Sequence, residues 1–130
     1  MIKNDFFNDL DLFLCEKFGY RECFYVTPTQ NGCCVYVSER DVKLYFRMWE
    51  YSGGASGFPD WCIIIVDAKF SKNQERNLKD LVQFFKEYAS LYGFTHIGIE
   101  GDVNIQKVLN FPHEIPQVFI SNYMARFDEI

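Results

Sequence analysis

The chain has 130 residues, 48% of them hydrophobic and 18% aromatic, which is enough apolar material for one buried core and argues against a disordered chain. Its 18 acidic and 13 basic residues give a formal net charge of −5, which argues against a protein that coats nucleic acid through Lys and Arg contacts to phosphate. No stretch reaches the roughly 18 unbroken apolar residues of a membrane span. The acids within residues 1–18 argue against a signal peptide, so we expect a cytoplasmic protein.

The N-terminal half is predicted to contain one helix followed by antiparallel strands. Apolar residues recur at helical spacing over residues 4–18, and Gly19 is a suitable C-terminal stop. The pattern then changes to the alternation that is typical of strands. Strands are predicted over 22–27, 33–38 and 42–49, with turns over 28–32 and 39–41.

A glycine-rich segment, residues 52–60 (SGGASGFPD), follows and predicts a mobile surface loop. No helix and no Lys-Ser/Thr pair come after it, so the pattern of a phosphate-binding loop is incomplete. The aromatic residues near it are Tyr45, Trp49, Tyr51, Phe58 and Trp61. They are interpreted either as a protein-interaction surface centred on residues 51–61 or as a second small core beneath the loop.

Residues 61–100 predict a strand, a long helix and a second strand parallel to the first, because a right-handed crossover places such strands side by side. The apolar run 61–66 (WCIIIV) is typical of a central strand, which residues 67–70 can prolong. Ser71 and Gln74 have the spacing of a capping box, and Gly93 is expected to end the long helix. The second strand is predicted over 95–100.

The C-terminal part is predicted to hold a short helix over 104–109 and a last edge or closing strand over 117–127. The predicted class is therefore α+β. We expect one domain over residues 1–130, with a mixed central sheet, an N-terminal helix, a long crossover helix and a short C-terminal helix.

This order of elements resembles the GNAT superfamily of N-acyltransferases, most closely over residues 61–111. In that family the central strand splays from its neighbour and acyl-CoA lies in the cleft, with the pyrophosphate at backbone N–H groups that begin the long helix. The resemblance implies acetyl-CoA or another acyl-CoA as the cofactor, if one binds. The residues that it places at the cofactor are Ser71, Lys72, Asn73, Gln74, Arg76, Asn77 and Asn104.

The chain departs from the family motif Gln/Arg-x-x-Gly-x-Gly/Ala at the start of the long helix. Counting from Gln74, Asn77 and Lys79 stand where the family has glycine and a second small residue. Side chains at these positions would occupy space in which the backbone meets phosphate. We therefore expect no bound cofactor. The catalytic tyrosine of the family also has no counterpart in residues 108–111 (VLNF).

Two acids are the candidates for catalysis. Asp67 and Glu100 lie near the carboxyl ends of the two predicted parallel strands, the edge at which open α/β sheets bind ligands. Either is interpreted as a general base, if buried, or as a solvated strand-end acid.

The spacing of the His and Cys residues indicates neither a metal site nor a disulfide. His96 and His113 are the only histidines and form no metal-binding spacing, so we expect no metal site. An odd number of cysteines without a CxxC predicts five free thiols. These are Cys15, Cys23, Cys33, Cys34 and Cys62.

Two functional hypotheses follow. The first is a non-catalytic, GNAT-like binding or structural module of viral or mobile-element origin, located in the host cytoplasm or the virion, with a protein partner or a second copy of itself as ligand. The second is a divergent acyl-CoA-dependent N-acyltransferase. The missing glycines and tyrosine favour the first, and the net charge disfavours a third, a DNA-modifying member of the superfamily.

Overall fold

A computed structural model of the chain describes residues 4–52 and 57–130. In this part of the chain, α-helices pack against a mixed sheet with strand order β1-β2-β3-β4-β5-β7-β6, which confirms the α+β class. The helices are α1 (Asn4–Phe18), α2 (Gln74–Tyr88) and α3 (Val103–Leu109). The strands are β1 (Phe24–Thr29), β2 (Gly32–Ser38), β3 (Val42–Trp49), β4 (Cys62–Phe70), β5 (His96–Ile99), β6 (His113–Pro116) and β7 (Ser121–Arg126).

Helix α1 has the bounds that its periodicity predicts. Phe6, Leu10 and Leu14 fall on one face of the helix and are completely buried. Gly19 follows with a φ of 81°, and its N–H donates to the carbonyl of Cys15 at 2.8 Å. The helix thus ends in the left-handed conformation that glycine adopts without strain.

Strands β1, β2 and β3 form an antiparallel meander. Alternation in β3 is as predicted, with Val42, Leu44, Phe46 and Met48 buried under the helices. The predicted turn over 28–32 is too long, because β1 continues through Pro28 to Thr29 and only two residues join it to β2. Proline is tolerated there because β1 is an edge strand, where a missing N–H costs no sheet hydrogen bond.

Strand β4 is the central strand, as predicted, and it continues to Phe70. Its parallel pairing with β5 covers only Cys62 to Ile65. Its pairing with β3 shifts register by one residue between Ile65 and Asp67, so Val66 is the extra residue of a bulge. Beyond the bulge, β4 runs on after β5 has ended, which opens a cleft beside its last residues.

The predicted capping box of α2 is wrong. The N-cap residue is Asn73, which has a φ of 53° and makes no side-chain capping hydrogen bond. The side chain of Gln74 turns back to the end of β4 instead of to Ser71. At the other end α2 stops at Tyr88, and a short 3₁₀ turn leads to Gly93, which has a φ of 96°.

The C-terminal segment is a hairpin rather than the single strand predicted over 117–127. The backbone N–H of Gln117 donates to the carbonyl of Ile120 at 2.9 Å, which closes the connection between β6 and β7. Strand β7 lies between β5 and β6, and β6 is the edge of the sheet. Strand β6 ends at Pro116, and proline is tolerated there because β6 is an edge strand.

The helices and the sheet enclose the main core, which includes Phe46, Ile63, Leu81, Phe85 and Ile97. The opposite side of the sheet carries a smaller core of Phe58, Cys62 and Ile64. The rest of that side is called the open face below; it carries Tyr25, Tyr36, Lys43 and Tyr45 on β1 to β3 and Asp67 and Lys69 at the end of β4. None of the helices in the described part of the chain is long and apolar enough to cross a lipid bilayer.

Candidate functional site

A groove lies where β4 outruns β5, between the first turns of α2 and α3. Its volume is about 750 Å³, within the range of small-molecule sites. It collects residues that are far apart in the sequence, which the predicted crossover places at one edge of the sheet. Among its walls are five of the residues named from the sequence: Asp67, Asn73, Gln74, Arg76 and Asn104.

The side chain of Gln74 occupies the edge of β4 in this groove. Its carboxamide oxygen accepts from the N–H of Phe70 at 2.6 Å, and its amide nitrogen donates to the carbonyl of Ala68 at 2.8 Å. One side chain therefore makes the two hydrogen bonds that a neighbouring strand would make at this point. Because β5 ends at Ile99, Gln74 takes the place of the missing neighbour.

The other cofactor candidates lie on the far side of the α2 N-terminus. Ser71, Lys72 and Asn77 line a second cavity of about 540 Å³, together with the end of α1. Asn77 is buried, and its side-chain amide donates to the carbonyl of Lys72 at 2.9 Å. This contact braces the turn into α2 from within. Lys79, the second departure from the family motif, is exposed on α2.

The groove beside β4 has a negative balance of charge. Three carboxylates line it, Asp67, Glu75 and Asp102, against two cations, Lys69 and Arg76. The carboxylate of Asp102 caps α3, accepting from the backbone N–H groups of Asn104 and Ile105 at 2.9 and 3.0 Å. This lining repels a phosphate group more than it attracts one.

The two catalytic candidates have different surroundings. Asp67 lines the groove, whereas the carboxylate of Glu100 accepts a hydrogen bond from Arg47 at 2.6 Å. Arg47 lies on β3, and its guanidinium also contacts the rings of Tyr45 and Trp49, at 5.3 and 5.4 Å. Sequence reasoning missed Arg47 as the partner of Glu100, although its position in the alternating pattern of β3 places it on the same side of the sheet as Tyr45 and Trp49.

The aromatic residues around the glycine-rich segment do not form one surface. Phe58 is buried in the smaller core, as the second interpretation of these residues predicts. Trp61 packs edge-to-face on Phe94 at 5.4 Å. Tyr51 is the exposed member, at 63% of its surface. The predicted mobility falls partly on residues 53–56, which lie outside the described residues.

The histidines and cysteines lie apart from the groove. His113 bonds Glu129 at 2.8 Å, and His96 Nδ1 lies 2.7 Å from the hydroxyl of Thr95. Over residues 4–52 and 57–130, no three His, Cys, Asp or Glu side chains cluster as metal ligands would. All five cysteines are free, and burial raises the pKa of the Cys62 thiol, which keeps it unreactive.

No protein-family model matches the chain, and no curated protein matches it significantly in sequence. The chemistry of the groove and of the open face is therefore the basis on which a function is assigned.

Proposed function

We propose that this chain is a non-catalytic, GNAT-like binding module in which the side chain of Gln74 occupies the cofactor position at the edge of β4. The observation that carries the proposal is the pair of hydrogen bonds from Gln74 to Ala68 and Phe70. The resemblance implies an acyl-CoA beside this edge of β4, and such a cofactor would have to displace Gln74.

The location of the groove supports the GNAT-like part of the proposal. Strands β4 and β5 are parallel only up to Ile65 and Ile99, and the bulge at Val66 precedes the point where they separate. A cleft between these strands is what the resemblance implies. The long helix that follows β4 begins in this cleft, at Gln74.

Three features support the absence of catalysis. The lining of the groove has more carboxylates than cations, which opposes a pyrophosphate. Asn77 uses its side chain to hold the turn before α2, so its replacement of glycine contributes to the structure of the turn. Glu100 is engaged by Arg47, which takes up one of its carboxylate oxygens.

Calorimetric titration with acetyl-CoA tests the proposal. We expect a dissociation constant in the millimolar range or weaker for the unaltered chain. Gln74→Ala removes the occupant of the β4 edge and should tighten binding, whereas Gln83→Ala on the exposed side of α2 should not change it. Micromolar binding by the unaltered chain would contradict the proposal.

The second candidate function is a divergent N-acyltransferase. It is favoured by one observation, that Asn73, Gln74, Arg76 and Asn104 line a single groove large enough for a pantetheine arm. This function requires micromolar binding of acetyl-CoA that Asn104→Ala weakens. Turnover of acetyl-CoA with an amine acceptor, lost in Asp67→Asn, would identify Asp67 as its base.

The cytoplasmic location is part of the same proposal. It is supported by the five free thiols, four of which are buried. The protein partner expected at residues 51–61 finds its main support in Tyr51, since Phe58 is buried and Trp61 packs partly buried against Phe94.

A further inference from the structure

The open face carries three tyrosines in one row across neighbouring strands. Tyr25 on β1 is the register partner of Tyr36 on β2, and Tyr36 is the register partner of Tyr45 on β3. Register partners lie on the same side of a sheet. Tyr25 is 73% exposed and Tyr36 is 38% exposed. We call these residues the tyrosine row.

One end of the row is held rigidly. The rings of Tyr36 and Tyr45 stack with centroids 4.4 Å apart and planes 19° from parallel. Arg47 donates from Nε to the hydroxyl of Tyr45 at 3.2 Å and is itself held by Glu100. Tyr36 therefore has one ring face against Tyr45 and the other towards β1.

The other end of the row is open. Among the described residues no ring contact joins Tyr36 to Tyr25, although the register places them opposite each other. The face of the Tyr36 ring on the β1 side is thus open to stacking with a planar ring of a ligand. Tyr25 is placed to cover the opposite face of that ligand ring. Ring faces presented in this way by a sheet are what single-stranded nucleic acids use for base stacking.

The neighbouring row supplies positive charge. Lys43 on β3 and Lys69 on β4 are register partners, and both are exposed. Like charges directly opposite on a sheet destabilise it unless an anion lies between them. Within the described part of the chain neither lysine forms an ion pair, and Lys43 donates only to the carbonyl of Glu39 at 3.4 Å.

Acids also lie on the open face, and they weaken its attraction for an anionic ligand. Asp67 stands opposite Tyr45, and Glu100 is compensated by Arg47. Two further acids, Glu75 and Asp102, line the groove that Lys69 also borders. On the face itself, the lysine pair and Arg47 outnumber Asp67 and Glu100 by one, on a chain of net charge −5. The attraction is local, and the expected affinity is correspondingly modest and dependent on salt.

We propose that the open face binds single-stranded nucleic acid, with a base stacked on Tyr36 beneath Tyr25 and a backbone phosphate at Lys43 and Lys69. A flat ring and an anion one row apart are the two groups that a nucleotide unit presents. An uncharged sugar chain would stack on the tyrosines, but it would leave the repulsion between the two lysines uncompensated. The tyrosine row lies on the side of the sheet away from α2, and Lys69 is the one residue of the proposed site that also lines the groove. The proposal goes beyond the function assigned above and does not depend on it.

Fluorescence anisotropy with labelled twelve-nucleotide strands of deoxythymidine and of uridine, at low salt, tests the proposal. We expect micromolar binding of at least one strand, and a preference between them identifies DNA or RNA as the source of the ligand. Tyr36→Ala should weaken binding at least fivefold, the lower end of what one base–aromatic stack contributes. Tyr36→Phe keeps the ring and should keep the affinity.

The lysine pair is tested by the salt dependence of the same binding. Lys43→Gln combined with Lys69→Gln should lower the slope of log affinity against log salt by about 0.7, since the pair holds one backbone phosphate and each phosphate contact to a single strand contributes about 0.7. Tyr51→Ala and Lys79→Gln are the matched controls, an exposed tyrosine and an exposed lysine outside the two rows, and should leave binding unchanged.

Three results would overturn the proposal. The first is no binding of either strand at 100-fold the expected concentration by a protein with an unaltered melting temperature. The second is that the control variants weaken binding as much as the variants of Tyr36 and of the lysine pair do. The third is that uridine monophosphate or a heparin fragment binds as tightly as the strands, which would assign the face to free nucleotides or to anionic polysaccharides. The acetyl-CoA titration is independent of all three, so the two proposals fail separately.

Discussion

Phe58 packs directly on the backbone of Gly98. A Cβ added to Gly98 would lie 2.3 Å from Cε1 of Phe58, closer than any real contact of this kind. The absence of a side chain on β5 thus makes room for the ring that closes the smaller core over Cys62 and Ile64. This contact explains why an aromatic residue in a glycine-rich segment is buried.

Gly98→Ala should therefore destabilise the protein by about 1–3 kcal/mol, as overpacking of a filled core does. Chemical denaturation measures the change. In a Phe58→Ala background the same glycine substitution should cost much less, because the clashing ring is gone. Additive effects of the two substitutions would show that Phe58 does not lie over Gly98.

Leu81→Ala tests the packing of α2 on the sheet. Leu81 is buried in the main core, so its truncation should lower the free energy of unfolding by about 2–5 kcal/mol. Leu91→Ala is the matched control, since Leu91 is 72% exposed and its truncation should change stability by no more than about 0.5 kcal/mol. Similar effects of the two would mean that α2 packs elsewhere.

Gln74→Ala tests the bridge at the edge of β4. Without the carboxamide, the N–H of Phe70 loses its acceptor, so its hydrogen exchange should become faster. Gln83→Ala, which removes only a contact to Glu87 on the exposed side of α2, should leave that amide protected. Exchange at Phe70 that is the same in all three proteins would exclude the bridge.

The protonation of His96 should make the protein less stable in mild acid. Burial lowers the pKa of His96 below 6.5, and the nearby Arg126 acts in the same direction. The unfolded chain therefore takes up this proton at a higher pH than the folded one, and the free energy of unfolding should fall as the pH decreases below 6.5. NMR titration of the ring measures this pKa, and a value at or above 6.5 would contradict the prediction. His96→Gln should reduce the pH dependence.

Thiol labelling should separate Cys15 from the other cysteines. Cys15 is half-buried, whereas the remaining four are buried, and burial raises the pKa of Cys33 to about 12. In the native protein we expect an alkylating reagent to modify Cys15 first and the rest only after unfolding. Reductant should leave the melting temperature unchanged, and an intramolecular disulfide in freshly prepared protein would contradict this expectation.

The elements with a strong local pattern are predicted well from the sequence. The bounds of α1 and β3 match their hydrophobic periods, and the parallel pair β4–β5 follows from the length of the helix between them. The C-terminal hairpin was missed because its strands are short, and an edge strand such as β6 shows no buried alternation. The capping box was wrongly predicted because the spacing of Ser71 and Gln74 does not show which way the glutamine side chain turns.

The α+β class, the crossover that brings Asp67 and Asn104 to one edge, and the presence of Asn77 in the first turns of the long helix can all be read from the sequence. Each of these depends on period, order or residue type, which are local properties of the chain. Two features appear first in the folded chain: Gln74 completes the edge of β4, and Tyr25, Tyr36 and Tyr45 form a row. Both depend on strand register and on where β5 ends, and a shift of one residue would place the same side chains on the opposite face of the sheet.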